Sequence, residues 1–287
     1  MVNLVFNSDD FGLSLESNLA IMEGHTNGVI TSTCILANGE FYNQGIKEVL
    51  PEIPKIGRGV HLNIIEGKSL TNPSMFTNSD GFFNKGYLYF LYNSNNKKLI
   101  SQIETEFRAQ IEKILSDIEI DHINSHVHTH SIPNIFNMVL KLALEYKIKF
   151  IRTQYEKPYI VFKKVFSTKY PVNLIKLGLL NTFSTVNKKT VDSLNSKSSA
   201  KKIITNDYLV GVNYTGYMDE SSILSGLLPL KNINDGKIVE LIIHPKSLGD
   251  RNSKTNYKEF VASINPRVKK EILKMNFNLT NYKELNI

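Results

Sequence analysis

The chain has 287 residues, of which 41% are hydrophobic and 21% are charged, as is usual for a soluble globular protein. Lysine and arginine exceed aspartate and glutamate by 34 − 27 = 7. The basic residues are scattered and form no nucleic-acid-binding motif, so we expect no nucleic-acid partner. No segment approaches the roughly 18 apolar residues of a spanning helix. The start lacks a signal-peptide pattern and the lone Cys34 permits no intrachain disulfide, which predicts a cytoplasmic protein.

The first part of the chain alternates between strand-like and helix-like segments. Short runs of β-branched and aromatic residues predict buried strands, and apolar residues at helical spacing predict helices. Gly28, just beyond the first predicted helix, is typical of a helix end. The predicted elements are a strand at 2–6, a polar loop at 7–12, a helix at 14–25, a strand at 29–36, a helix at 43–50 and a strand at 56–62.

The alternation continues further along the chain. Residues 66–98 are rich in glycine, proline and asparagine and predict a loop. Strands that alternate with helices favour a parallel sheet of the βαβ type. The remaining predicted elements are a helix at 99–118, a histidine-rich strand at 122–130, a helix at 134–147, a strand ending at 150–152 and a strand at 239–243.

Two stretches interrupt this pattern. Residues 162–186 are basic and apolar, which predicts either a lid helix or a surface that touches lipid. Residues 188–202 are rich in lysine and serine and predict a mobile loop. Neither stretch has the composition of an inter-domain linker. We therefore predict a single domain over residues 1–287 with a lid or insert around 155–205.

Four of the seven histidines lie within nine residues, in the segment His122–His130. If this segment is extended, His122, Asn124, His126, His128 and His130 project from one face. Each neutral imidazole needs a hydrogen-bond donor and an acceptor, so the crowding does not suit an ordinary buried surface. A metal site explains it well, because imidazole is the commonest metal ligand. The alternative is an exposed histidine-rich edge or a fortuitous cluster.

Other polar residues also fall at the carboxyl ends of predicted strands, where the active sites of α/β barrels lie. Taken alone, Asp9 and Asp10 would also suit a helix N-terminus, and His61 would suit a buried core position. Together, one aspartate and two histidines make a set that leaves positions open for water and substrate. An open divalent site makes hydroxide available near neutral pH, so the pattern indicates metal-assisted hydrolysis. The strand-end residues are Asp9, Asp10, His61, His126, His128, Arg152 and His244.

The chain resembles the YdjC-like carbohydrate deacetylases, which include the chitooligosaccharide deacetylases and relatives in the hopanoid pathway. Four motifs carry the resemblance in the order and spacing of that family, and it spans roughly residues 2–250. The segment Thr31-Ser32-Thr33, followed by Asn38-Gly39, also fits the family's second strand. The motifs are Asn-Ser-Asp-Asp-Phe-Gly at 7–12, Gly-Val-His-Leu-Asn at 59–63, His-Ile-Asn-Ser-His-Val-His-Thr-His at 122–130 and Ile-His-Pro at 243–245.

The resemblance implies a distorted (β/α) TIM-like barrel related to polysaccharide deacetylases. It also implies a divalent metal ion and removal of an N-acetyl group from an amino sugar. By position, Asp10, His61 and His126 match the metal ligands. Asp9 matches a general base, His244 matches the acid that protonates the leaving amine, and Arg152 matches an arginine that orients Asp9. We interpret His128, Asn38 and Asn63 as substrate-binding residues, with His128 lining the pocket, and His122 and His130 as packing or supporting residues.

One departure and several open questions accompany the resemblance. The family usually has aspartate where this chain has Asn124, which contributes no charge but can still orient an imidazole. Family members are commonly assigned Mg²⁺, whereas two histidines and one carboxylate favour Zn²⁺ or another transition metal. Relatives suggest a homodimer, and residues 162–186 leave open a peripheral membrane contact or a lipid-linked substrate. The alternative function is another barrel metallohydrolase, such as a phosphoesterase, although that chemistry usually needs more carboxylate ligands.

Overall fold

The strands form one curled, parallel sheet. The computed structural model describes residues 1–164, 169–197, 202–247 and 254–285. Within these ranges every strand pair is parallel, and the strand order is β5-β4-β3-β2-β1-β7-β6, with β8 paired to β1. The strands are β1 (Val2–Phe11), β2 (Ser32–Ile35), β3 (Gly57–Leu62), β4 (His122–Ser125), β5 (Phe150–Ile151), β6 (Tyr208–Val210), β7 (Ile238–Ile243) and β8 (Phe277–Thr280).

Strand β1 is the centre of the sheet. Its first half pairs with β8, its second half pairs with β2, and residues Asn3 to Ser8 pair with β7. Leu4, Val5 and Phe6 are fully buried, as expected for a parallel strand covered on both faces. An isolated parallel bridge joins Phe150 to Ile204, so the segment before β6 approaches the far edge of the sheet. The chain therefore has an α/β fold in which the sheet curls into a half-barrel.

Helices connect and cover the strands. The first begins at the predicted place, because the Ser14 side chain caps it by accepting from the backbone of Ser17. Helix α6 packs against α5 and against the turn that follows β4. The helices are α1 (Leu15–Thr26), α2 (Tyr42–Gln44), α3 (Tyr87–Asn93), α4 (Lys97–Leu115), α5 (Pro133–Glu145), α6 (Lys169–Lys197), α7 (Glu220–Leu227), α8 (Lys254–Ile264) and α9 (Pro266–Lys274).

Several sequence-based predictions of secondary structure are confirmed. The predicted helices at 14–25, 99–118 and 134–147 correspond to α1, α4 and α5, and the strands at 56–62 and 239–243 correspond to β3 and β7. In α4, three of the four apolar residues at four-residue steps are buried as the helical spacing predicts, whereas the fourth, Leu115 at the end of the helix, is 37% exposed. These buried residues are Ile103, Phe107 and Ile111.

Other predictions are wrong in instructive ways. Strand β1 continues to Phe11, so Asp9 and Asp10 belong to the strand and not to a loop. The histidine-rich strand ends at Ser125, because Val127 and His128 adopt left-handed backbone angles (φ 52° and 59°) and turn the chain. The strand predicted at 29–36 is shorter, and residues 43–50 form short helical turns with a π-helical segment.

The segment predicted as a loop at 66–98 contains helix α3, and the segment predicted as a mobile loop at 188–202 is helical as far as Lys197. Residues 198–201 of that prediction lie outside the described residues. The sequence interpretation missed β6, β8 and helices α7, α8 and α9. These strands have three or four residues, which is too short for a periodic pattern to stand out.

Within the described ranges, no helix is both long enough and apolar enough to span a membrane.

Gly59 in β3 provides the room for the ring of His122 on the neighbouring strand. A Cβ at Gly59 would lie 2.4 Å from Nε2 of His122, and that ring is already packed 4.6 Å from the ring of Tyr282. We expect Gly59→Ala to lower the free energy of unfolding by about 1–3 kcal/mol, because the ring has to move. Urea denaturation followed by circular dichroism measures the change.

Gly178 is the matched control. It lies in α6, where, among the described residues and apart from the helix's own backbone and the adjacent residues, no atom comes within 4 Å of an added Cβ, and alanine is the better helix former. We expect Gly178→Ala to raise the free energy of unfolding by about 0.5–1 kcal/mol. Equal effects of the two substitutions would contradict the packing that we describe for Gly59.

Candidate functional site

The carboxyl end of β1 brings two adjacent carboxylates to one centre. In a regular strand, Asp9 and Asp10 would point to opposite faces. Here the pairing with β2 shifts register between Ser8 and Phe11, and Asp10 has a left-handed backbone (φ 68°). Both carboxylates consequently lie near His61, with Oδ1 of Asp9 at 3.9 Å from Nδ1 and Oδ1 of Asp10 at 3.4 Å from Nε2. A bulge beside a functional site commonly re-aims side chains in this way.

Asp10, His61 and His126 form a compact set of ligand atoms. Oδ1 of Asp10 lies 3.4 Å from Nε2 of His61 and 3.1 Å from Nδ1 of His126, and ligand atoms of the three residues lie within 4.8 Å of one another. The set comes from the ends of three different strands, β1, β3 and β4. Two imidazoles and one carboxylate suit a divalent transition-metal ion and leave coordination positions open. The residues present therefore fit the metal that the resemblance implies.

A second group, Asp9, Cys34 and His61, also has ligand atoms within 4.8 Å. Two of the three residues in this group already use their possible ligand atoms in hydrogen bonds. Both oxygens of Asp9 accept from Arg152, and Nδ1 of His61 lies 2.6 Å from Oδ1 of Asn124. The first set is therefore the better candidate metal site.

Arg152 follows β5 and is buried at the centre of the interior. Its guanidinium donates to both oxygens of Asp9 at 2.7 and 2.8 Å and to Oε1 of Glu240 at 2.6 and 3.0 Å. Oε2 of Glu240 accepts from the hydroxyl of Tyr282 at 2.7 Å. Burial alone would raise the pKa of Asp9, but Arg152 and His61 hold it well below its usual value. Asp9 is consequently an ionised acceptor whose orientation Arg152 sets.

Asn124 links His61, a candidate metal ligand, to the carboxylate of Asp9. Its Oδ1 accepts from Nδ1 of His61 at 2.6 Å, and its Nδ2 donates to Oδ1 of Asp9 at 3.0 Å. An aspartate here would place a second carboxylate against Asp9. The amide avoids that repulsion and still orients the imidazole, so that Nε2 of His61 faces Asp10.

His244 follows β7 and lies near Oδ2 of Asp9, whereas His61 lies near Oδ1. Nε2 of His244 is 3.9 Å from Oδ2 of Asp9, and its Nδ1 is 3.8 Å from Glu259. The backbone N–H of His244 also donates to Glu259 at 2.6 Å. Burial lowers the pKa of His244, but Glu259, Asp10 and Asp9 together raise it above its ordinary value. These carboxylates therefore favour the protonated ring, which can donate a proton.

His126 is held between two carboxylates. Its Nδ1 faces Asp10, and its Nε2 lies 3.3 Å from Oε2 of the half-exposed Glu66. Burial lowers the pKa of His126, but the two carboxylates raise it to about 10. A metal ion would have to displace the Nδ1 proton, whereas Nε2–H could keep its bond to Glu66.

The remaining histidines of the cluster have different surroundings. His128 is 5% exposed, and its Nδ1 has no hydrogen-bond partner among the residues that the structure describes. His130 contacts Ser125, the carbonyl of Arg152 and Gln154, and burial lowers its pKa to about 3. It therefore supports the turn after β4 as a neutral ring. A substrate-binding role of His128 stays a prediction.

Asn38 and Asn63 organise the loop after β3. Asn63 accepts from the backbone of Ile65 and Glu66 and donates to Oδ1 of Asn38 at 3.0 Å. Asn38 donates to the carbonyls of Glu66 and Lys68. These bonds place Glu66 next to His126. The predicted contact of both asparagines with substrate stays a prediction.

The structure brings together six of the seven residues that the sequence placed at strand ends. It also adds residues that the sequence interpretation missed. Glu240 and Glu259 are fully buried. Glu240 could have been found from the sequence, because it is an acidic residue inside the apolar run that forms β7. Glu66 was detectable as an acid soon after the strand that carries His61. The six residues are Asp9, Asp10, His61, His126, Arg152 and His244.

Fold and site together define an α/β protein whose polar centre lies at the carboxyl ends of a parallel sheet and contains one aspartate–histidine set suited to a divalent cation. The chain belongs to the YdjC-like protein family, whose model matches residues 3–273. A crystal structure from Enterococcus faecalis, named for cellobiose-phosphate cleavage, covers 99% of both chains with a TM-score of 0.75 and 19% identity. At that identity, the likeness shows the fold alone.

Named relatives match parts of the chain. The carbohydrate deacetylase of Clostridium beijerinckii is 37% identical over 150 residues, which are 51% of this chain and 58% of that protein. The chitooligosaccharide deacetylase of Salmonella paratyphi B is 33% identical over 50% of this chain and 56% of that protein. The carbohydrate deacetylase of Listeria monocytogenes serotype 4a is 30% identical over 77% of this chain and 84% of that protein. The match thus spans little more than half of the first two relatives.

The buried charge cluster around Arg152 yields a stability prediction. Removing the guanidinium in Arg152→Met leaves the carboxylates of Asp9 and Glu240 buried without their cation. We expect the free energy of unfolding to fall by about 3–5 kcal/mol, measured by urea denaturation.

Arg108 provides the matched control, because it also bonds two carboxylates, those of Glu104 and Glu145, but at the surface. Surface ion pairs are weak, so Arg108→Met is expected to cost far less. Similar losses in the two variants would show that the buried cluster around Arg152 is not what stabilises this interior.

Proposed function

We propose that this protein is a metal-dependent hydrolase that removes the N-acetyl group of an acetylated amino sugar and releases acetate. The observation that carries the proposal is the set of Asp10, His61 and His126 beside the ionised Asp9 and beside His244, whose Nε2 lies 3.9 Å from Asp9. The names of the deacetylase relatives support the reaction. A distorted barrel, with residues 155–205 as a lid or insert of a single domain, is part of the same proposal.

The metal would be held by Asp10, His61 and His126. When bound, a divalent cation polarises an acetyl carbonyl and makes a coordinated water more acidic. The two histidine ligands favour Zn²⁺ or another transition metal over Mg²⁺, which prefers oxygen ligands. Glu66 orients His126, and Asn124 orients His61.

Asp9 and His244 handle the protons. Asp9 is ionised and can accept a proton from the attacking water, although Arg152 makes it a weak base. We propose that Asp9 orients the water and takes up its proton, and that this proton passes to Nε2 of His244, 3.9 Å from Oδ2 of Asp9, only after His244 has given its own proton to the leaving amine. Glu259 and the two aspartates raise the pKa of His244, which favours the charged ring that donates to the nitrogen of the leaving amine. Arg152 keeps Asp9 in place throughout.

The alternative, a phosphoesterase with two metal ions, finds less support. Such sites hold their metals roughly 3.5–4 Å apart and need several free carboxylates. The carboxylate that could serve a second metal, Asp9, is committed to Arg152 through both oxygens. Glu240 is likewise bound to Arg152 and to Tyr282.

Product analysis tests the proposed reaction. The protein would be incubated with N-acetylglucosamine oligomers and, separately, with an aryl phosphate, and acetate and phosphate would be measured. We expect acetate release that stops on chelation and returns when Zn²⁺ or Co²⁺ is added. Asp9→Asn and His244→Gln are each expected to lower kcat at least ~100-fold, because each removes a proton-transfer group.

His126→Ala is expected to abolish both metal binding and acetate release, since it removes a ligand. His122→Ala and His130→Ala should only weaken metal binding. His25→Ala is the control, because His25 lies on α1 and bonds the carbonyl of Ile30, away from the strand ends. Phosphate release without acetate release would refute the deacetylase proposal.

Helix α6 supports a peripheral membrane contact. Its outer side carries an apolar stripe at three-, four- and seven-residue spacing, in which Ile175 is 78% exposed. The 35 residues 157–191 contain seven lysines and no acidic residue, which favours an anionic lipid surface over a second copy of the same basic segment. The stripe consists of Val172, Ile175, Leu179 and Val186.

Lys164 is unsuitable as a lipid-binding test, because its ammonium pairs with Asp219 at 2.7 Å and donates to the Tyr217 carbonyl and the Ser222 hydroxyl. Ile175→Asp is the better variant. We expect it to reduce co-sedimentation with phosphatidylglycerol vesicles at least threefold, since a charge replaces an exposed apolar side chain that the lipid would bury. Leu88→Asp on α3, where Leu88 is 61% exposed, should have no effect. Equal binding by both variants and the wild type would count against the contact.

A further inference from the structure

A line of hydrogen bonds runs through the sheet from the amino end of β4 to the candidate metal site. We call it the interior chain, and it consists of Asp121, His122, Cys34 and Asn124. His122 contacts Oδ1 of Asp121 through Nδ1, and Sγ of Cys34 through Nε2 at 2.9 Å. Nδ2 of Asn124 lies 2.7 Å from the same sulfur. His122, Cys34 and Asn124 are at most 1% exposed, so solvent does not interrupt the line.

Each bond in the interior chain has a definite direction. Oδ2 of Asp121 accepts from the backbone N–H of Arg58 at 2.9 Å, and an ionised carboxylate only accepts, so Nδ1 of His122 donates to Oδ1. Nε2 of His122 is then an acceptor. The thiol of Cys34 has two acceptors in reach, Oδ1 of Asn7 at 3.6 Å and Nε2 of His122 at 2.9 Å, and we take the closer one as the partner of its single hydrogen. The sulfur is left as an acceptor for the amide N–H of Asn124.

The hydrogen bonds of Asn124 continue this donor-to-acceptor order as far as His61, the proposed metal ligand. The two amide hydrogens of Asn124 go to Cys34 and Asp9, which leaves Oδ1 for Nδ1 of His61. His61 consequently carries its proton on Nδ1 and presents the lone pair of Nε2 toward Asp10. The identity of the proton-bearing nitrogen decides whether a histidine can bind a metal through the other one.

The order cysteine, histidine, aspartate is also that of a nucleophilic triad, but substrate cannot reach it here. Cys34 is fully buried and His122 is 1% exposed. Burial, and then the charge of Asp9, raises the pKa of the Cys34 thiol well above its ordinary value. A thiol that stays protonated is a poor nucleophile but a suitable hydrogen-bond donor.

We propose that Asp121, His122 and Cys34 are positioning residues, which orient the amide of Asn124 and thereby hold His61 in the tautomer that binds metal through Nε2. The inference rests on the proposed function, in which His61 is a metal ligand. It also assigns a role to His122, the first histidine of the cluster.

Nuclear magnetic resonance of protein labelled with ¹⁵N-histidine tests the tautomer directly. Long-range ¹H–¹⁵N spectra of the metal-free protein show which ring nitrogen is protonated, and the signal missing in His61→Gln assigns His61. We expect the wild type to have its His61 proton on Nδ1. In Asp121→Asn, the single amide oxygen can take the place of only one of the two carboxylate oxygens, so it cannot accept from both Arg58 and His122. The hydrogen-bond direction along the interior chain is then no longer fixed, and a second His61 tautomer is expected.

Calorimetric titration with Zn²⁺ gives an independent readout. We expect Cys34→Ala to weaken Zn²⁺ binding about tenfold. Cys34→Ser, whose hydroxyl can donate and accept, should restore binding to within about threefold of the wild type. Ser32→Ala is the matched control, because Ser32 is buried two residues away on the same strand and its Oγ has no partner within the described part of the chain. It should change neither readout.

A single His61 tautomer together with Zn²⁺ affinity within about twofold of the wild type, in both Cys34→Ala and Asp121→Asn, would overturn the inference. Failure of the wild type to bind Zn²⁺ would instead count against the proposed function. The tautomer measurement needs no metal and would still decide the role of the interior chain. The Ser variant keeps the test usable if Cys34→Ala does not fold.

Discussion

The buried guanidinium of Arg152 is the charge around which the interior of this protein is arranged. A cation taken fully out of water costs several kcal/mol unless its donors are satisfied. Here Asp9 from β1 and Glu240 from β7 satisfy them with short bonds. Neither carboxylate would be stable at this depth without the arginine. The contact thus ties the end of β5 to two other strands and fixes the orientation of Asp9 in the site.

The same arrangement explains why the strands contain polar residues where parallel strands are normally apolar. Asn7 donates to Asp9 at 2.8 Å, and Asn124 donates to the same oxygen at 3.0 Å. Each of these buried groups is acceptable because its neighbours satisfy it. Such local departures from the apolar pattern are expected at functional sites. In this chain the buried polar residues extend from the interior of the sheet to the carboxyl ends of its strands.

The sequence predicted the strand ends better than the contacts between them. Apolar runs locate β1, β3 and β7, and the parallel arrangement brings their carboxyl ends together, so Asp10 and His61 could be placed near one another from pattern alone. The left-handed backbone of Asp10 and the turn at Val127 could not be predicted from the sequence pattern. They depend on which strand pairs with β1 and on what packs over β4. The partner of Arg152, Glu240, is 88 residues away in the chain, and only the topology shows that they meet.

Asn124 connects these observations to the choice of metal. With asparagine at this position, the charges nearest to His61 are the carboxylates of Asp10 and Asp9, and that of Asp9 is compensated by Arg152. An aspartate would add a negative charge beside Asp9 and strengthen the attraction of the site for any divalent cation. The neutral amide forgoes that general attraction and retains the orientation of the imidazole. In the proposed metal site, binding would then depend more on the two imidazole nitrogens, a donor set that suits transition-metal ions better than Mg²⁺.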